Sequence, residues 1–282
     1  MGADPGTGAA RSAGAARSAG AALDPGIVAQ VQARLDGARR GHGVRILHAI
    51  ESGSRAWGFP SPDSDYDCRF VYAHPIEDYA RLRPPRDVIE TPLTPVLDVN
   101  GWDIRKALRL GLKGNAVILE WLRSPIVYRA EPGFAAAMDA LLSESVPVPL
   151  VARHYAGLAQ RFAGRERDVP LKKLFYALRP LAALDWMRAR GFAALPPMAF
   201  GALLDGIDWP ADLRAEIDRL LAQKARTREL GEGEVPPVVA DALARLPGLM
   251  EAIPPCDGRL DPMVEARADA FLLAVLEGRG GA

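Results

Sequence analysis

Cysteine is scarce in this chain, and charge cancels. Of 282 residues only Cys68 and Cys256 are cysteines, and two such distant residues form no metal-ligand spacing, so a reducing, cytoplasmic setting is expected. Lysine and arginine number 35, as do aspartate and glutamate. A formal net charge of zero gives no global attraction to nucleic acid, so any RNA contact must rest on a local basic patch. No apolar run is long enough to span a bilayer and the N-terminus lacks the hydrophobic stretch of a secretory signal, so no membrane partner is expected. Bulky apolar side chains are also scarce in residues 1–22, where RSAGAARSAGAA repeats itself; this Ala/Gly/Arg-rich stretch reads as a disordered extension. What is present is a chain 49% hydrophobic, enough for a sizeable core in one or two domains.

The chemistry-bearing part begins at Val44 to Ile50, VRILHAI, a short apolar run that reads as a buried strand. It ends in Glu51-Ser52-Gly53-Ser54. Glycine at a strand end lets a phosphate approach the backbone, and the following amides and the Ser54 hydroxyl can donate to it. The loop RAWGFPSPDS, Arg55 to Ser64, then leads into a second strand, DYDCRFVYA, Asp65 to Ala73. Side chains at i and i+2 of a strand share a face, so Asp65 and Asp67 should project together, with Arg69 continuing that face and Tyr66 and Cys68 turned away. Close carboxylates repel unless a cation joins them, and an oxygen-rich pair is what Mg²⁺ or Mn²⁺ accepts beside substrate phosphates. A calcium loop starting at Asp63 fails, because Cys68 stands where glycine is required and His74 where a bidentate glutamate is expected.

With strand, Gly53-Ser54, spacer and Asp65-Tyr66-Asp67 in place, the sequence resembles the nucleotidyltransferases of the DNA polymerase β superfamily. Ser52 departs from the apolar residue usual before the glycine. GSRAWGFPSPDSDYDCRF and LDVNGWDIRKALRLGLKGNAVILEWLRSPIVY resemble more closely the YcgL/RlaP-type branch, associated with RNA repair, over roughly residues 44 to 128. The resemblance implies transfer of a nucleoside monophosphate from an NTP to an acceptor hydroxyl, such as an RNA or tRNA end, with release of pyrophosphate. It also implies a third carboxylate from a neighbouring strand. Asp98, within an apolar segment, is chosen over Asp103, which directly precedes the helical pattern Ile104, Ala107, Leu108 and Leu112, where N-capping accounts for it. Asp65, Asp67 and Asp98 are thus the expected catalytic and metal-holding residues. Gly53, Ser54, Arg55 and Arg69 are expected at the phosphates, since guanidinium suits bidentate phosphate contact. Rival readings are adenylylation of a protein partner, which nothing in the sequence indicates, and a nucleotide- or RNA-binding module without chemistry.

The expected fold is α+β, with a mixed-sheet nucleotidyltransferase domain at 23–130 followed by an all-helical substrate-binding or scaffold domain at 131–282. Trp57 and Phe59 are expected to pack the loop. Glu120, in an otherwise apolar helix, must be either exposed or paired. PLKKLFYALRPLAALDWMRAR, Pro170 to Arg190, carries leucines at helical spacing beside Lys172, Lys173, Tyr176 and Arg179. Pro180 should kink that helix. In the resembling families a basic helix closes over the nucleotide, which makes Lys173 and Arg179 phosphate candidates; an amphipathic helix with a solvated basic edge is the alternative. His154 needs no catalytic role. Further helices are expected near 210–230, 237–252 and 262–276.

Overall fold

The computed structural model describes residues 23–161, 169–226 and 232–279, so the extension expected at residues 1–22 lies outside the described residues. The first helix, α1 (Pro25–His42), starts where the Asp24 side chain accepts from the amides of Gly26 and Ile27 and ends at Gly43, whose φ of 64° is left-handed. Five strands follow: β1 (Arg45–Glu51), β2 (Tyr66–Ala73), β3 (Val88–Glu90), β4 (Leu97–Asp103) and β5 (Val127–Ala130), in the spatial order β3-β4-β2-β1-β5. β2 and β4 run parallel and the other neighbours antiparallel, so the sheet is mixed, as expected. The edge strands β3 and β5 were not foreseen; each is too short to carry a period, and β5 has no buried residue.

Alternation along β2 and β4 divides the core. Tyr66, Cys68, Phe70, Tyr72, Leu97 and Val99 pack with Val31 and Leu35 of α1 on one face of the sheet. The other face carries Val71 and Ala73 into a larger cluster built with the helices. Those helices are α2 (Gly53–Ala56), α3 (Ile104–Leu112), α4 (Ala116–Leu122), α5 (Phe134–Ser145), α6 (Val148–Gln160), α7 (Leu171–Arg188), α8 (Phe200–Asp205), α9 (Ala211–Arg226), α10 (Pro237–Ala244), α11 (Leu246–Glu251) and α12 (Pro262–Leu276). Together they make an α+β fold with a helical C-terminal region.

Helix limits follow their signals. Asp103 caps α3 by accepting from the Arg105 amide, and Asn115 caps α4. The helix expected over 237–252 is two, because Pro247 sits in the first turn of α11 and cannot extend α10 by a backbone bond. α7 runs on through Pro180 and is buried over most of its described length, with Phe175, Leu178 and Leu184 inaccessible to solvent. Among the described residues no single helix is long and apolar enough to cross a membrane.

Candidate active site

The site lies on the helix-covered face of the sheet, where β2 and β4 begin. Parallel pairing sets Asp67 directly beside Asp98, and Arg69 beside Asn100. All four point to one face by the period of the strand. The Arg69 guanidinium joins the pair: its Nη2 lies 3.0 Å from Asp67 Oδ1 and 2.8 Å from Asp98 Oδ2. Its Nη1 makes longer bonds to the carbonyls of Cys68 and Asp98, at 3.2 and 3.3 Å. Asn100 donates to Asp98 Oδ1 at 2.7 Å, fixing the remaining oxygen. Burial pushes the Asp67 carboxyl above its usual range; Arg69 opposes this, and the negative charges of Asp98 and Asp65 add to it.

Asp65 precedes the first residue of β2 and is exposed, near enough to act on Asp67 electrostatically. Two of the three expected carboxylates therefore converge on one point, and the third stands at the rim. Among the described residues no group of three His, Cys, Asp or Glu is gathered tightly enough to hold a metal ion. The donor chemistry nevertheless suits a hard divalent cation, since two carboxylate oxygens already share a single cationic nitrogen. Asp103 belongs to a different structure: it is buried, caps α3 and accepts from the Tyr79 hydroxyl at 2.6 Å.

Gly53 explains how Asp67 fits. Its φ is 62°, and a Cβ there would meet Asp67 Oδ2 at 2.4 Å, so a side chain would push the carboxylate aside. The amide of Ser52 donates to the Asp67 carbonyl, which ties this turn to β2. Ser54 is buried and donates to Ser64 Oγ at 3.0 Å, and Ser64 Oγ accepts from the Ser61 amide at 2.8 Å. Lys224 of α9 reaches Ser61 Oγ at 3.2 Å, so the helical region holds the turn from outside.

Beneath the carboxylates lies a residue that sequence reasoning passed over. Glu51 closes β1 and is inaccessible to solvent. Its Oε1 accepts from the Asp67 amide at 3.1 Å and its Oε2 from the Tyr128 hydroxyl at 2.7 Å. Burial pushes its carboxyl up to about 7, against the pull of both hydrogen bonds. The available signal was a lone acid ending an otherwise apolar strand.

The other expected phosphate residues divide. Arg55 is turned to its own loop: Nη2 donates to the Ser64 carbonyl at 2.7 Å and the guanidinium lies 3.8 Å over the Tyr66 ring. Arg179 does not reach the cleft, which corrects its expected role. It is 2% exposed, donates to Glu120 Oε1 at 2.8 Å and to the Met198 carbonyl, and stacks on Trp57. Its place on α7 lay on the inner side, where Glu120 supplied the compensating charge. Glu120 is thus paired, and it also accepts from Tyr155 Oη and Trp57 Nε1. Phe59 packs against Phe175 and Phe200, so both loop aromatics do serve packing.

Lys173 is exposed on α7 one turn before Tyr176. Tyr176 is 40% exposed and its ring meets Trp57 edge-on at 5.4 Å; partial burial raises its phenol, and the charges of Asp67 and Asp65 raise it further. Tyr176 was read only as part of a helix face.

Two comparisons bear on this arrangement. The family model described as RlaP, the RNA repair pathway DNA polymerase beta family, matches residues 27–273. The chain is also similar to the "Uncharacterized protein YcgL" of Bacillus subtilis (strain 168), 43% identical over 192 residues that cover 67% of this chain and 73% of the relative.

Proposed function

The chain belongs to the RNA repair pathway DNA polymerase beta family, and from that premise we propose that it is a metal-dependent nucleotidyltransferase acting on an RNA end. The observation that carries the reading is the convergence of Asp67 Oδ1 and Asp98 Oδ2 on one cationic nitrogen, beside a glycine turn that admits no side chain. A family associated with RNA repair supports an RNA or tRNA end as the acceptor.

In this reading Asp67 and Asp98 would hold a divalent cation, Mg²⁺ or Mn²⁺, and Asp65 would add a third carboxylate. The bound ion supplies charge neutralisation at the triphosphate and a lowered pKa for the attacking hydroxyl. The residues of the chain do the rest. The Gly53-Ser54 backbone and Lys173 bind phosphate oxygens, and Asp98 Oδ2 takes the proton of the acceptor hydroxyl. The acceptor oxygen bonds to the α-phosphorus, the α–β bridging bond breaks, and pyrophosphate leaves. Glu51, through the Asp67 amide, holds the reacting end of β2 in place.

The test is incubation with each α-labelled NTP, Mg²⁺ or Mn²⁺ and total cellular RNA, followed by separation of RNA from protein. Label on RNA supports the reading and shows the base preference. Label on protein replaces it with adenylylation of a partner, and absence of label with any NTP despite NTP binding replaces it with a non-catalytic module.

A further inference from the structure

We infer that Arg69 keeps the place of the metal in the free protein and gives it up only to a metal that arrives with nucleotide, its guanidinium then passing to the triphosphate. The inference rests on the proposed reading of the site and adds a rule of binding to it.

The argument starts from charge. Asp67 and Asp98 are side by side in the parallel register and only about a quarter exposed, with side-chain exposures of 27% and 24%. Two such carboxylates repel each other in a half-buried site unless a cation lies between them. The structure supplies that cation internally, since the same Nη2 atom bonds both. One positive charge against two negative ones leaves a residue of negative charge, so the site still attracts a divalent ion.

A bare ion, however, must first displace the guanidinium and then leave it beside a doubly charged neighbour with no new partner. An ion that comes with a triphosphate offers the guanidinium phosphate oxygens in the bidentate geometry it prefers. Arg69 can make that move: it is 20% exposed, and its remaining bonds are the two longer ones to the Cys68 and Asp98 carbonyls. Arg179 has no such freedom, being enclosed among Glu120, Met198 and Trp57. Metal and nucleotide should therefore bind with positive coupling, and linkage makes the coupling equal in both directions.

The experiment is a Mn²⁺ titration of the full chain followed by electron paramagnetic resonance, with and without an NTP whose α–β bridging oxygen is replaced by methylene. Wild type, Arg69→Met and the double variant Asp67→Asn/Asp98→Asn are compared. For wild type the expected result is Mn²⁺ binding at least about 10-fold tighter with the nucleotide than without, within the usual range of such couplings. Arg69→Met should bind Mn²⁺ alone at least about 10-fold tighter than wild type and lose most of that coupling. If Arg69→Met binds Mn²⁺ alone no tighter than wild type, while wild type binds it with nucleotide, Arg69 is no placeholder and the inference falls with the proposed function intact. Should Arg69→Met not fold, wild type decides: Mn²⁺ binding unaffected by nucleotide overturns the inference. Mn²⁺ bound equally by wild type and the double variant overturns the metal site itself, and the inference with it.

Discussion

Asp67 and Asp98 face each other across a parallel strand pairing and share one nitrogen of Arg69, so a chain separation of about thirty residues is closed by register alone. Asp67→Asn and Asp98→Asn should each lower nucleotidyl transfer by more than about 100-fold, beyond what loss of an outer partner costs a metal site. Neither should unfold the protein, because Arg69 keeps one carboxylate partner. Circular dichroism melts and label transfer on the same preparations check both statements.

Asp103→Asn is the counter-test. Asparagine can keep the cap on the Arg105 amide through its carbonyl, but its NH2 replaces the oxygen that accepts from Tyr79, so one buried hydrogen bond is lost and stability should fall by about 1 to 3 kcal/mol. Transfer should stay within a few-fold of wild type. Loss of transfer by a variant that stays folded would move the third carboxylate from Asp98 to Asp103.

Gly53→Ala should fail locally. The new Cβ would overlap Asp67 Oδ2, and a left-handed backbone costs a non-glycine residue roughly 1 to 2 kcal/mol. The expected outcome is a modest loss in urea midpoint with a loss of transfer close to that of Asp67→Asn. Retained transfer would mean that Asp67 can shift without penalty.

Arg179→Met separates a structural arginine from a substrate one. Removing it leaves Glu120 buried without its charge partner, which typically costs about 3 to 5 kcal/mol. The melt should fall sharply, while NTP affinity, measured well below the melt, should remain near wild type. A weakened affinity in a stable variant would restore Arg179 to the phosphate site.

Those contrasts mark how much was legible in the sequence. Strand β2, its alternation and the cap at Asp103 are local, and each is set by residues within a few positions of one another. The pairing of Asp67 with Asp98 needed a guess at strand neighbours, which the family resemblance supplied. Arg179 could not be placed from α7 alone, since its partner Glu120 is 59 residues away and the burial of residues 177–185 shows only in the fold. Glu51 was overlooked because a single acid at a strand end has an ordinary solvated reading, which its burial overrules. The bridging role of Arg69 is likewise a consequence of register, invisible until β4 is laid beside β2.

His48 gives a pH signature of the fold. It is buried in β1, and burial lowers its ring below the ordinary value of 6.5. With the folded pKa depressed, the unfolded chain binds the proton more readily. The contribution is complete above about pH 6.5 and is lost as pH falls through the interval down to the folded value. Urea unfolding of His48→Leu should show a shallower stability loss than wild type below about pH 6.5, the window set by that ordinary value. Parallel curves would mean that His48 is not neutral in the fold.

The central claim is that Asp67 and Asp98 act together on an NTP. Its most direct test is pyrophosphate release measured together with label transfer to RNA from α-labelled NTP in Mn²⁺, for wild type and Asp67→Asn. The account predicts release and transfer in equal amounts for wild type and neither for the variant. Equal release and transfer by a folded Asp67→Asn would contradict it.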